Sequence, residues 1–140
     1  MPIFFYDSLL GAIGLVHAGW RGLKENIIYN AVHQMTSLFN TSPANIFCAV
    51  GPYIKKDNYE VDSDVADVFP GRFSVHGSNG KYLLDLGAVA ISQLMDAGIP
   101  VNQCELAETC TYSEENFFHS YRRDGNAAGR NISMIGIIDK

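Results

Sequence analysis

A chain of 140 residues that is 47% hydrophobic and 18% charged has the make-up of one globular domain, residues 1–140, rather than of a disordered segment. A net charge of −5 argues against a nucleic-acid or anionic-membrane partner, and no apolar run approaches the roughly 20 residues of a bilayer span. The opening Met1-Pro2-Ile3-Phe4-Phe5-Tyr6-Asp7 has neither a basic region nor a small-residue cleavage site, so it reads as an abrupt first strand and the expected location is cytoplasmic.

Residues 2–6 and 12–17 form the first two expected strands, joined by a turn around Asp7-Ser8. A helix from about 22 to 38 is predicted from Leu23, Ile27, Ala31, Met35 and Leu38 at helical spacing. The apolar run 46–50 suits a buried strand, stopped by Gly51-Pro52. Asp62 or Ser63 is placed to cap a short helix carrying Val65, Val68 and Phe69. Short strands are expected at 72–76 and 81–84, around the turn 77–80. Asp85 caps a helix through Ala97 that Gly98 closes. A strand near 102–107, a polar loop over 109–130 and a last strand over 131–138 complete the chain. Alternating strands and helices favour a layered arrangement of α+β class.

The cysteines, Cys48, Cys104 and Cys110, are three in number and lack metal-ligand spacing, so they are expected to be thiols with structural roles. Cys48 belongs to the apolar run, while Cys104 and Cys110 lie close enough in sequence to approach each other. The arginines are unevenly placed. Arg122, Arg123 and Arg130 fall within nine positions, and Arg21 sits in a glycine-flanked turn. Such clustering in an acidic chain suits a small anion such as phosphate or carboxylate.

Three segments carry the chemistry. In His17-Ala18-Gly19-Trp20-Arg21-Gly22 a strand end aims a histidine out of the sheet, where imidazole can bind metal or exchange protons. The two glycines would let backbone approach a ligand, and the following helix N-terminus, with Arg21 beside it, would suit an anion. The second segment runs from Cys110-Thr111-Tyr112 through Phe117-Phe118-His119-Ser120-Tyr121-Arg122-Arg123-Asp124 to Gly129-Arg130. Adjacent arginines on an extended segment point apart, so one is expected to face a ligand and the other to pair with Asp124. The paired phenylalanines are expected to anchor the loop to the core. The third segment is Gly51-Pro52 followed by Tyr59-Glu60-Val61.

Taken together, HAGWRG at 17–22, GPYI at 51–54, YEV at 59–61, CTY at 110–112, SYRRDG at 120–125 and GR at 129–130 resemble the YfiH family. This family is also called the laccase-domain or polyphenol-oxidase-like family, and the resemblance covers essentially the whole chain. It departs at His119, which intervenes between the paired phenylalanines and SYRRD. The resemblance implies a layered α/β sandwich of mixed sheets with flanking helices, N-terminally truncated in this chain. It also implies a metalloenzyme of purine nucleoside phosphorylase and adenosine deaminase type, acting on a purine nucleoside and phosphate.

The family's metal, zinc or copper, is implied to sit on a histidine of an earlier motif, the cysteine of an Ala-Asp-Cys motif, and the histidine matched here by His17. The family's Ala-Asp-Cys stands just ahead of the position of Met1, so this chain looks like the C-terminal part of a longer enzyme and is expected to bind metal weakly. His17 and Arg21 are then the expected catalytic residues, His17 the metal ligand, and Arg122 and Arg123 the substrate-binding pair. The alternatives are a non-catalytic fragment or binding subunit, a copper-dependent polyphenol oxidase (laccase), and a cysteine hydrolase. A homo-oligomer is a further expectation, because uncovered sheet edges pair readily.

Overall fold

The structure is a computed structural model and describes residues 1–138. Seven strands and five helices alternate along the described residues. The larger sheet holds β1 (Pro2–Asp7), β2 (Ala12–His17), β3 (Ile46–Val50) and β7 (Cys104–Leu106) in the order β2-β1-β3-β7. β1 pairs antiparallel with both β2 and β3, and β3 pairs parallel with β7. The turn from β1 to β2 is built by Asp7, whose buried carboxylate accepts from the Leu9 and Leu10 amides at 2.9 and 3.1 Å. Gly11 closes it with φ of +66°.

Alternation along the strands gives the sheet two unlike faces. Ile3, Phe5, Ile46, Cys48 and Val50 are buried beneath α2 (Ile27–Phe39) and α4 (Leu86–Asp96). α2 turns Ile28, Val32 and Met35 to this core, and α4 turns Val89, Ala90 and Leu94. The opposite face carries Phe4, Tyr6, Leu15, Phe47 and Ala49, all exposed or half-buried. A smaller antiparallel sheet of β4 (Glu60–Val61), β6 (Tyr82–Leu84) and β5 (Ser74–His76) sits beside the first, with α3 (Ser63–Ala66) against β6.

The expected helix from Asp85 is present: the Asp85 carboxylate accepts from the Ala88 amide at 2.9 Å, and Gly98 follows the helix at φ +91°. The expected helix over 22–38 is instead two, α1 (Trp20–Lys24) and α2, separated by Asn26 in the left-handed region at φ 56°. The break is local, because Asn tolerates that conformation and Leu23 and Ile28 both stay fully buried. The helix expected to reach Phe69 ends at Ala66, and Val68 and Phe69 follow in turns whose amides donate to the Val65 and Ala66 carbonyls. The strand expected over 72–76 is a 3-10 turn, Gly71–Phe73, and then β5. Within the expected loop, Tyr121–Asp124 form one helical turn, α5.

The last expected strand is not one. Residues 131–138 form no regular element, and they make no backbone–backbone hydrogen bond among the described residues.

Candidate functional site

The register fixes where the motifs meet. Pro2 lies opposite His17, and the Gly51 amide donates to the Pro2 carbonyl at 3.0 Å. The carboxyl ends of β2, β3 and β7 therefore share one end of the sheet, and all three motif segments leave from it. Ligands of open sheets bind outside such ends.

From β2, His17 is exposed at the sheet's rim, and its side chain lies on the same face as that of Leu15. Burial pushes its imidazole pKa down, and the nearby Met1 ammonium pushes the same way. The chain then turns through Gly19 into α1, which is only five residues long. Arg21 is exposed and its guanidinium lies 4.5 Å from the Trp20 ring centre. The two glycines of the turn differ in their surroundings. A side chain at Gly19 would meet nothing within 4 Å, and one at Gly22 would meet Ile27 at 3.4 Å. Gly22 serves helix packing.

From β3, the loop over 51–59 carries Tyr53, Lys55, Asn58 and the buried Tyr59. The Lys55 side chain donates to the Ala107 carbonyl and lies 4.0 Å from the Tyr53 ring centre. From β7, Cys110 bridges to Tyr53, and the Thr111 amide donates to the Tyr53 carbonyl at 3.1 Å. The Cys110 thiol receives the Lys55 amide at 3.4 Å and the Asn58 side-chain amide at 3.5 Å. Burial alone would raise its pKa. Donation from the backbone of Lys55, Ser113 and Tyr112 and from the Ser113 hydroxyl outweighs burial and brings it down to about 7.

Sequence reasoning missed this hub, and the spacing of the cysteines misdirected it. Cys104 lies opposite Cys48 across the parallel pair, not beside Cys110, and burial pushes the Cys48 and Cys104 thiols up.

The adjacent arginines diverge. Arg123 binds both Asp124 carboxylate oxygens at 2.8 Å, and donates to the carbonyls of Thr111 at 3.1 Å, Tyr112 at 2.8 Å and Phe118 at 2.9 Å. Arg122 is exposed, donates one N–H to the Glu60 carbonyl, and stands 5.0 Å from the Tyr59 ring centre. Burial pushes the Tyr59 hydroxyl up, while the charges of the Arg122 and Arg21 guanidiniums oppose the shift. Neither has a carboxylate within 4.0 Å among the described residues, whose ion pairs are Lys81–Asp62 and Arg123–Asp124.

Two further motif residues are structural. His119 packs so closely on Gly129 that a side chain there would meet its ring at 2.6 Å, and its backbone exchanges hydrogen bonds with the Asn131 side chain at 2.8 and 3.0 Å. Phe118 is half-buried, but Phe117 is 77% exposed and anchors nothing.

A metal needs more donors than this site offers. No group of three His, Cys, Asp or Glu side chains with metal-binding geometry exists among the described residues, and His17 is a single imidazole. The residues present do not fit zinc or copper by themselves. Among the described residues no helix is long and apolar enough to cross a membrane.

Comparison with known proteins agrees with the motifs. The purine nucleoside phosphorylase YlmD of Bacillus subtilis is 34% identical over 143 residues, covering 98% of this chain and 51% of the relative. The purine nucleoside phosphorylase YfiH of Escherichia coli is 34% identical over 145 residues, covering 99% and 56%. The crystal structure of YlmD from Geobacillus stearothermophilus superposes with a TM-score of 0.85 at 36% identity, over 91% of this chain and 50% of that one. The chain thus spans about half the length of the relatives it matches. The sequence profile of the multi-copper polyphenol oxidoreductase laccase family matches residues 1–138, and the protein belongs to that family, in its YfiH and YlmD branch.

Proposed function

We propose that this chain carries the anion-binding part of a purine nucleoside phosphorylase site, with the adenosine deaminase chemistry of the same family type as the allied activity. The carrying observation is a pair of guanidiniums with no carboxylate within 4.0 Å among the described residues: Arg122, 5.0 Å from the centre of the buried Tyr59 ring, and Arg21, 4.5 Å from that of Trp20 in the turn that leaves the same end of the sheet. An arginine without a carboxylate partner keeps its forked N–H groups for a ligand, and phosphate accepts such a fork bidentately. In phosphorolysis the phosphate oxygen attacks the ribose carbon as the bond to the purine breaks, so Arg21 and Arg122 orient the nucleophile. His17, at the rim of the same end, exchanges a proton with the leaving base. The names of the curated relatives support the reaction class.

Titration of inorganic phosphate and ribose 1-phosphate, followed by NMR or calorimetry, tests the reading. A charge-assisted contact is worth about 1.5–3 kcal/mol, so Arg21→Ala and Arg122→Ala should each weaken binding by roughly ten- to a hundredfold. Arg72, held 4.4 Å from the Phe73 ring centre, is the control and should change nothing when replaced by Ala. Equal losses in all three variants would reduce the effect to diffuse charge and overturn the reading.

A further inference from the structure

The loops that carry Tyr59, Cys110 and Arg122 leave from the carboxyl ends of β3 and β7, and these two strands pair parallel with Cys48 directly opposite Cys104. Residues opposite each other in neighbouring strands point to the same face of the sheet, and the strands stand about 4.7–4.9 Å apart. A disulfide needs Cα atoms about 4.4–6.8 Å apart and Cβ atoms that do not point away from each other. The register of this pair meets both conditions with the backbone where it is.

The two thiols also act on each other. Contact with Cys48 favours the ionised form of Cys104, and contact with Cys104 disfavours that of Cys48, on top of the burial that pushes both up. The Cys104 thiol further donates to the Pro100 carbonyl at 3.5 Å. Their exposure differs as well. Cys48 is 4% exposed and belongs to the core, whereas Cys104 is half-buried on β7, the edge strand of the larger sheet among the described residues. One thiol is thus reachable from solvent and the other lies behind it, which suits a first thiol that is oxidised and a second that resolves it. Cys110 is engaged elsewhere, its sulfur receiving the amides of Lys55 and Asn58.

We propose that Cys48 and Cys104 form a dithiol site that hydrogen peroxide closes to a disulfide within the folded protein, stapling β3 to β7 at the base of the loops that carry the candidate site. The Cys104 thiolate attacks one peroxide oxygen. The O–O bond breaks, the sulfur is oxidised to a sulfenic acid, and the departing hydroxide becomes water with the proton that Cys104 released. The Cys48 sulfur then attacks the Cys104 sulfur: the S–S bond forms, the S–O bond breaks, and the second hydroxide leaves as water with the Cys48 proton. Two thiols and one peroxide give one disulfide and two waters. The ring so closed runs from Cys48 to Cys104 and takes in the smaller sheet, α3 and α4. Closing a ring of that length removes freedom from the unfolded chain, so the oxidised protein is the more stable form. The step uses neither Arg21 nor Arg122 and stands apart from the phosphorylase reading.

The test treats the reduced 140-residue chain with hydrogen peroxide, blocks the remaining thiols with an alkylating agent, and maps its peptides before and after dithiothreitol. A linked pair of peptides carrying Cys48 and Cys104 should appear, lighter by two hydrogens than the two thiol peptides together, and dithiothreitol should return both thiols. The thermal midpoint of the oxidised protein should lie about 5 °C or more above that of the reduced protein. Two variants read the order of the steps. Cys48→Ser should hold a sulfenic acid on Cys104 that a cyclic 1,3-diketone traps, at least about tenfold more than it traps on Cys48 in Cys104→Ser.

A map in which Cys48 and Cys104 stay free, or carry separate sulfinic or sulfonic acids, overturns the proposal. So does a disulfide that joins either of them to Cys110. A linked pair that forms only after the protein is unfolded in denaturant, or an oxidised protein that melts below the reduced one, also overturns it, because the bond would then not fit the folded sheet. These readings are made on the unaltered chain and decide the matter even where a serine variant fails to fold. Trapping on Cys48 rather than Cys104 would overturn the order of the two steps.

Discussion

Arg122 and Arg123 are neighbours in sequence, yet they head two regions built on opposite principles. Around Arg123 every donor of the guanidinium fork has an acceptor: a carboxylate bound bidentately and three carbonyls from the 111–118 loop. Around Arg122 and Arg21 the cations lie against aromatic rings and have no carboxylate within 4.0 Å among the described residues. A polar region satisfied from within holds shape and has nothing left for a ligand. A region with concentrated, uncompensated charge holds shape by other means and keeps its capacity to bind. The same residue type therefore does structural work in one place and is free for chemistry a single position away.

The largest effect should come from breaking the satisfied region. Arg123→Ala removes the fork that ties Thr111, Tyr112 and Phe118 to Asp124, leaving three carbonyls and a carboxylate without their donor. Its thermal midpoint should fall further than that of any other arginine variant. Arg123→Lys should recover little, because an ammonium cannot reproduce a planar bidentate fork. Arg122→Ala should leave the midpoint nearly unchanged while losing phosphate binding. Thermal denaturation of the three proteins side by side measures this. A midpoint for Arg123→Ala matching that of Arg122→Ala would erase the distinction between the regions.

A second effect sharpens the distinction on the binding side. If Arg21 and Arg122 hold one anion, their losses are coupled, so the double variant should bind phosphate only slightly worse than the weaker single variant. Fully additive losses would place the two cations on separate anions.

How far the sequence alone exposes these regions varies by residue. The strands at 2–6 and 46–50 and the Asp85 cap were legible because each is carried by neighbours within a few positions, although the run 46–50, expected to be buried throughout, buries only alternate residues and leaves Phe47 and Ala49 exposed. The break at Asn26 was hidden, since apolar spacing continues across it and one left-handed residue leaves no periodic trace. The 111–124 clasp was half legible: that one arginine of the pair would take Asp124 follows from opposed side-chain directions. Which of them does so depends on carbonyls that tertiary structure alone brings near. Cys110 was misjudged because its donors, Lys55 and Asn58, lie more than fifty positions away. The tail over 131–138 reads as a strand in sequence but forms none, because strand identity also needs a partner, which a local pattern cannot supply.

A smaller effect concerns pH in the satisfied region. The Cys110 thiol ionises at about 7 in the folded protein, below its ordinary value of 9.0, because donors surround the sulfur. A lowered folded pKa means that the folded state binds the proton less tightly than the unfolded one. The contribution to stability is therefore complete above the unfolded value and is lost as pH falls through about 7. The thermal midpoint should rise between pH 6 and pH 9 by a component that Cys110→Ser removes, since a hydroxyl does not ionise there. Cys48 and Cys104, whose thiols burial pushes up, should contribute nothing to that component, and their serine variants should keep it. A pH profile unchanged by Cys110→Ser would show the sulfur to be a neutral acceptor.

The smallest expected effect is the most informative about the turn that leads to Arg21. Gly19 has φ of −103°, which any residue adopts, and open space where a side chain would be. Replacing it by Ala lowers the freedom of the unfolded chain, which stabilises by about 0.4–1 kcal/mol, and makes a poorer helix cap, which costs a similar amount. The two offset, so stability should stay within about half a kcal/mol. Phosphate affinity should stay within about twofold, because the charges on Arg21 and Arg122, rather than backbone at Gly19, would hold the anion. Gly22→Ala is the contrasting variant: its new methyl meets Ile27 at 3.4 Å where α1 gives way to α2, so its effect falls on stability. Calorimetry of both variants with phosphate separates the roles. A tenfold loss of affinity in Gly19→Ala at unchanged stability would mean that the anion lies against the backbone of this turn. The open region would then be defined by main-chain donors as much as by its arginines, and its contrast with the Arg123 clasp would shrink accordingly.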